Sequence, residues 1–251
     1  MITDKQNIYI IKNLIFFMKK IEIIRILEKY PLFTFNEFVR ITGKTSEYAR
    51  NYLYRLKKEG LIFQIERGKY TIFDDPMIFS SYIVIPSFMS FWTAFRFYNF
   101  TEQLPMDIMI ASLKSKKTIE FQGIKIRFFK TNHIWGYKKQ RYMGFDIFVA
   151  EKEKCIIDSL LMKNTTFDEI VKAIGTKEFD PKKLVEYAIK TKNKSLMKRI
   201  GYLMRKFGFE TEELAKHLDN NYILLDWSGT KKGEKNKKWK IIVNRQLNDI
   251  Y

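Results

Sequence analysis

The chain has 251 residues and a mass of 30.3 kDa, which suits one large or two modest domains and is long enough to bury a core. Hydrophobic residues at 46% and aromatics at 16% exclude intrinsic disorder, while the single Cys155 excludes an internal disulfide and a cysteine-based zinc cluster; His133 and His217 are too few for most transition-metal sites, so no cofactor or metal is expected. Forty-six Lys and Arg against 28 Asp and Glu leave +18, a balance that draws a chain toward nucleic acid or another acidic partner.

The surplus of basic over acidic residues is 5 in residues 1–75, 6 in 76–150 and 7 in 151–251. Two readings stay open: more than one segment meets a polyanion, or the composition simply favours lysine throughout.

In chain order, an apolar stripe from Ile8 through Ile11, Met18, Ile21, Ile24 and Leu27 predicts an opening helix that Pro31 closes. Its run from Ile8 to Met18 falls short of the roughly 20 apolar residues of a membrane span and is broken by Lys12 and Asn13. With no secretory signal visible, a cytoplasmic protein without membrane contact is the expectation. Thr34-Phe35-Asn36-Glu37 has the spacing of a capping box and starts a short helix that Gly43 ends. A third helix from Ser46 turns Ala49, Tyr52, Leu53 and Leu56 inward and leaves Glu47, Arg50, Asn51, Tyr54, Arg55 and Lys58 outward until Gly60 stops it. Leu61–Ile65 and Lys69–Phe73 predict a hairpin turning through Glu66-Arg67-Gly68.

Helix, helix, turn, helix and hairpin make a winged helix-turn-helix over residues 1–75, carrying an extra N-terminal helix. A helix fits the major groove, exposed arginine and asparagine can pair with base edges, and a basic hairpin can reach phosphate. The candidate DNA-binding residues are Lys44, Thr45 and Ser46 at the helix start, Arg50, Asn51, Arg55 and Lys58 along it, and Arg67 and Lys69 on the wing. Two alternatives stay open: that the module contacts protein only, and that Arg50 or Arg55 pairs with Glu47 or Glu59. Gly43-Lys44-Thr45 is not a phosphate loop, because Phe38 stands where that motif needs glycine and a helix is expected where it needs a strand.

Asp74-Asp75-Pro76 marks a boundary, so residues 76–251 form a second, mixed α/β domain with a small sheet and several helices. Ile83–Ser87 is expected to be extended, with Ser87 capping a helix that carries Phe88, Phe91, Trp92, Phe95 and Tyr98. Extended runs are expected at Met106–Ser112, Lys117–Lys130 split at Gln122-Gly123, and Gly144–Ala150. Helices follow over Lys152–Met162, Thr166–Ile174, Pro181–Thr191, Ser195–Phe207 and Thr211–Leu218. Tyr222–Leu225 and Trp239–Val243 predict a hairpin around a Lys-rich loop at 229–238, either a clamp for a polyanion or a solvated loop.

Four segments, taken in order, resemble the AbiEi antitoxins of type IV toxin-antitoxin systems. They are Arg67-Gly68-Lys69-Tyr70, the run Pro86–Phe95 with Leu104-Pro105 after it, Ala150–Leu161 with Asp158, and Leu196–Phe209 with Arg199 and Gly201-Tyr202-Leu203; Trp239–Asn244 closes the pattern. The resemblance implies an N-terminal winged helix, a C-terminal α/β domain, and a transcriptional repressor binding inverted repeats upstream of its own operon. It also implies neutralisation of a nucleotidyltransferase-like toxin encoded beside it, and positive surface on both domains toward DNA. The helix before Ile21 is an addition to that plan whose apolar face suits dimerisation.

No catalytic constellation emerges, and a non-enzyme is expected. Asp158 in an apolar helix pattern reads as a structural acid bonded to backbone or to Arg199. Glu178-Phe179-Asp180-Pro181-Lys182 faintly matches the acid-x-Lys element of metal-dependent nucleases, although Asp180-Pro181 is already explained by a helix start. Cys155 reads as a packed hydrophobe, and His133 beside Trp135 has no triad partner at a telling spacing. The alternatives to a repressor are a nuclease targeted by the winged helix and a protein-interaction adaptor.

Overall fold

A computed structural model describes residues 20–103 and 107–247. The stripe from Ile8 to Met18, the Leu104-Pro105 pair and the Met106 strand start lie outside the described residues.

Helix α1 is described over 20–27 and buries Leu27. Strand β1 (Phe33–Thr34) leads into α2 (Phe35–Thr42), whose start is the expected capping box: Thr34 accepts from the Glu37 amide while the Glu37 carboxylate takes the Thr34 amide at 2.6 Å. Gly43 ends it with φ of 60°, a left-handed conformation that a β-carbon would strain. Thr45 caps α3 (Ser46–Lys58), which turns Ala49, Tyr52, Leu53 and Leu56 inward against Leu27, Phe33 and Phe38. Strands β2 (Phe63–Glu66) and β3 (Lys69–Thr71) form a hairpin closed by Arg67-Gly68, and β1 joins it in the order β1-β3-β2.

The remaining residues build a larger core around a mixed six-stranded sheet of β4 (Ser87–Met89), β5 (Asp107–Ser112), β6 (Ile119–Phe121), β7 (Ile124–Lys130), β8 (Tyr137–Tyr142) and β9 (Phe145–Ala150). Its order is β6-β7-β5-β4-β9-β8, with β4–β9 and β5–β7 parallel. Short helix α4 (Pro76–Phe79) starts at Asp75, and α5 (Phe91–Phe97) packs on α6 (Lys152–Met162), the hub for α7 (Phe167–Gly175), α8 (Pro181–Lys190) and α9 (Lys194–Lys206). A one-turn α10 (Glu212–Ala215) precedes a small sheet of β10 (Ile223–Leu224), β11 (Glu234–Asn236) and β12 (Ile241–Val243).

Three local expectations are corrected. Ser87 and Phe88 lie in the wholly buried β4, so the helix opens at Ser90 rather than Ser87. The sheet gains β8, a Lys- and Arg-bearing strand that carries no apolar alternation. At the carboxyl end β10 and β12 run parallel, and the hairpin is instead β11–β12, because residues of the Lys-rich stretch themselves form β11.

The hairpin joins the two cores. Ile65 belongs to the larger core, Phe63 meets Phe121 edge-on at 5.4 Å, and Glu66 is bonded by Lys116. Beyond it Phe73 packs on Phe145 at 4.7 Å, and the Tyr142 hydroxyl donates to Asp75 at 2.8 Å. These contacts hold the inner side of the hairpin against the large sheet and leave the side toward α3 open.

Candidate nucleic-acid interface

The 3.6-residue period of α3 sets two parallel stripes on its outer side. Arg50, Tyr54 and Lys57 form one; Asn51, Arg55 and Lys58 form the other, and all six side chains are exposed. Tyr54 is 68% exposed, an unusual position for a large aromatic. At the helix start Lys44, Thr45 and Ser46 are also exposed; the Thr45 hydroxyl oxygen is occupied as the cap, accepting from the Tyr48 amide at 3.3 Å. The Lys44 ammonium stands 6.0 Å from the Tyr48 ring, and the Arg50 guanidinium 5.9 Å from the Phe35 ring. Both cations thus rest on aromatic faces that restrict them without neutralising them.

Among the described residues, none of Lys44, Arg50, Arg55, Lys58 and Arg67 is in an ion pair. Glu59 is taken by Lys20 from α1, which removes the acid that could have paired with Arg55. The charge on this side is therefore available to a partner.

Between α3 and the hairpin lies an open cleft of about 440 Å3, with Arg50, Lys57 and Arg67 around it and Phe35, Tyr54 and Tyr70 forming its aromatic walls. Lys57 donates to Gln64 at 2.9 Å, tying the helix to β2. Gly68 supplies the positive φ of 80° that lets the two-residue turn close and project Arg67 outward. Lys69 does not join this group. Its ammonium bonds the Glu66 carboxylate at 3.0 Å and the Ile83 carbonyl, so it faces the joint between the two cores rather than an approaching phosphate. The neighbouring β-strand position turns it to the opposite face from Tyr70. Lys57 and Tyr54, omitted from the candidate set, belong beside Arg50 by the same helical spacing.

The acidic candidates are all engaged. Asp158 is 2% exposed, bonded by Lys154 and by the Ser90 hydroxyl at 2.7 Å. Arg199 is not its partner, since that guanidinium donates to the Leu224 and Leu225 carbonyls. Burial pushes Asp158 up and Lys154 down, each toward neutrality, while their pairing opposes both shifts. Asp180 caps α8 by accepting from the Lys182 and Lys183 amides at 2.9 and 3.2 Å. Cys155 is buried, and burial raises its thiol well above the ordinary range. His133 meets Trp135 edge-on, and burial followed by the Lys154 charge lowers its pKa. Among the described residues, no three or more His, Cys, Asp or Glu side chains are grouped to hold a metal ion. No helix among them is long and apolar enough to cross a membrane.

The chain is thus a mixed α+β protein with several sheets, presenting a cationic, aromatic-lined helix and hairpin at its amino end. Residues 22–72, which contain that whole face, match the family model of the AbiEi antitoxin transcriptional regulators, so the resemblance drawn from the sequence holds over this stretch. No curated protein matches the chain.

Proposed function

We propose that the protein is a DNA-binding autorepressor and the antitoxin of a type IV toxin-antitoxin pair, with α1–α3 and the β2–β3 hairpin acting as a winged helix-turn-helix. In this reading α3 enters the major groove, Asn51 and Arg50 read base edges, Arg55, Lys58 and Lys44 meet the flanking phosphates, and Arg67 reaches the backbone from the wing. The observation that carries it is the cationic face of α3 and the hairpin turn within the matched residues 22–72, whose Lys44, Arg50, Arg55, Lys58 and Arg67 make no ion pair among the described residues. A free guanidinium keeps its five donors for phosphate or guanine, whereas one already paired to a carboxylate would have to be released first.

The operator is a pair of inverted repeats upstream of the protein's own operon, bound by a homodimer, and the second partner is a nucleotidyltransferase-like toxin. Regulation, not chemistry on the nucleic acid, is the role, since Asp158 and Asp180 are committed to structural bonds. The test is footprinting of the intact protein on its own upstream DNA with a salt titration. Two protected half-sites about one helical turn, or a multiple of it, apart are expected, with Arg50→Ala or Asn51→Ala each costing about 1 to 3 kcal/mol of binding and relaxing base discrimination. Equal protection of unrelated DNA would defeat the repressor reading.

A further inference from the structure

A second cavity of about 520 Å3 opens far along the chain, between the ends of α6 and α9 on one side and the β10–Trp227 segment on the other. Its walls are mixed, with Leu161, Leu196, Ile223 and Trp227 set beside Asn193 and Ser195, and Arg199 also lines it. That side chain is 5% exposed. Its Nε and Nη2 donate to the Leu225 and Leu224 carbonyls at 3.0 and 2.9 Å, while Nη1 has no partner among the described residues. Nor does the guanidinium have an ion-paired carboxylate among them. Among the described residues Asp226 is the acid whose charge supports it, and its Oδ1 is spent on the Ser228 amide and hydroxyl at 2.8 and 2.6 Å. Burial lowers the Arg199 pKa to about 10, the sign of a cation held with less solvation than it would have in water.

The Trp227 ring lies 5.5 Å from the guanidinium carbon and is set by edge-on contact with Phe167. Exposed Lys163 stands at the mouth. The first turn of the 13-residue α9 also lines the cleft, with Asn193 capping it by accepting from the Leu196 amide at 2.9 Å.

We infer that this cleft binds a small amphiphilic anion, an apolar or aromatic body bearing one carboxylate or phosphate head, with the head on Arg199 and the body against Trp227 and the leucine wall. The two carbonyls fix the guanidinium plane, so its free edge is presented ready-oriented, which is the geometry a planar carboxylate or a phosphate accepts. The apolar part of the wall gives the ligand's body a surface to bury, which an inorganic anion lacks. The site shares no residue with the α3 face, so it stands or falls independently of DNA binding.

The test is isothermal titration of the intact protein with 2-naphthoate, 2-naphthyl phosphate and the neutral 2-naphthamide. Saturable one-to-one binding of at least one anion, with the amide silent, is expected; which anion binds tells carboxylate from phosphate ligands. Arg199→Lys, which keeps charge but loses the fork, should weaken binding about tenfold or more. Should that variant fail to fold, Leu161→Trp, which fills the cleft from its partly buried wall, should abolish binding while circular dichroism and operator affinity stay unchanged. Silence of both anions, equal binding of the amide, or unchanged affinity in a folded variant would overturn the inference.

Discussion

Arg67 and Lys69 sit two residues apart on the same hairpin, and the structure gives them opposite fates. Arg67 is exposed and in no ion pair among the described residues, whereas Lys69 is fixed between Glu66 and the Ile83 carbonyl. Each phosphate contact releases condensed counterions and contributes about 0.9 to the slope of log affinity against log salt. Arg67→Ala should therefore flatten that slope by about 0.9 per protomer, or about 1.8 for a dimer with both wings on the duplex. Raising salt from about 50 to about 200 mM would then weaken the variant roughly 3.5-fold less per bound protomer than the parent. Lys69→Ala should leave the slope within error and instead lower stability, since it removes one of the two cations on Glu66. Fluorescence anisotropy of labelled operator DNA at four or five salt concentrations measures both slopes. Equal loss of slope in the two variants would show that Lys69 is free in solution and that the hairpin is not docked as described. No change with Arg67→Ala would show that the wing does not touch phosphate.

Two further outcomes concern the fold that holds this face. Burial pushes the Glu66 carboxyl up, but the bonds from Lys116 and Lys69 outweigh it and keep the group below its ordinary value. A depressed carboxylate adds stability above its unfolded pKa of about 4.3 and loses it as pH falls through the folded value, so Glu66→Gln should be less sensitive to acidification between about pH 6 and about pH 3 than the parent in denaturant unfolding; identical pH profiles would refute the pairing of Glu66 with Lys69 and Lys116. Gly201 in α9 lies flat beneath the buried Trp239 ring, where an added β-carbon would overlap the indole. Gly201→Ala should cost about 1 to 3 kcal/mol by overpacking, read as a lower urea midpoint at unchanged slope, and an unchanged midpoint would show that the small sheet is not packed on α9 as described.

What the sequence made legible was local chemistry. Thr34 and Glu37 stand at capping-box spacing, Gly43 and Gly60 punctuate the helices, and a 3.6-residue period alone separates Leu53 and Leu56 from Arg50 and Asn51. Each of those signals is decided within a turn of backbone. The missed features depend on partners distant in sequence. Strand β4 is buried on both faces, so Ser87-Phe88-Met89 lacks the alternation that marks a strand and was indistinguishable from the helix that follows. Strand β8 sits at the sheet edge with Lys138, Lys139 and Arg141 outward, and its composition resembles a loop. The carboxyl-terminal strands looked like a hairpin because proximity in sequence favours one, yet β12 pairs antiparallel with β11 and parallel with β10. The apolar helix pattern around Asp158 marks it as a structural acid, but its partners, a lysine one turn away and a serine before α5, follow from packing, and Arg199, the side chain offered as its partner, instead donates to two carbonyls near β10. Lys69 is the same lesson at the site itself: a lysine on a wing reads as a phosphate contact until the neighbouring Glu66 and Ile83 are in place.

The central claim is that the exposed side of α3 lies against the bases of a duplex. A photo-crosslinking amino acid at position 51, and separately at position 54, irradiated with the protein's own upstream DNA, tests it directly. The account predicts crosslinks to bases inside each protected half-site, competed by the same duplex and not by unrelated DNA. Binding that persists while both positions give no crosslink would contradict it.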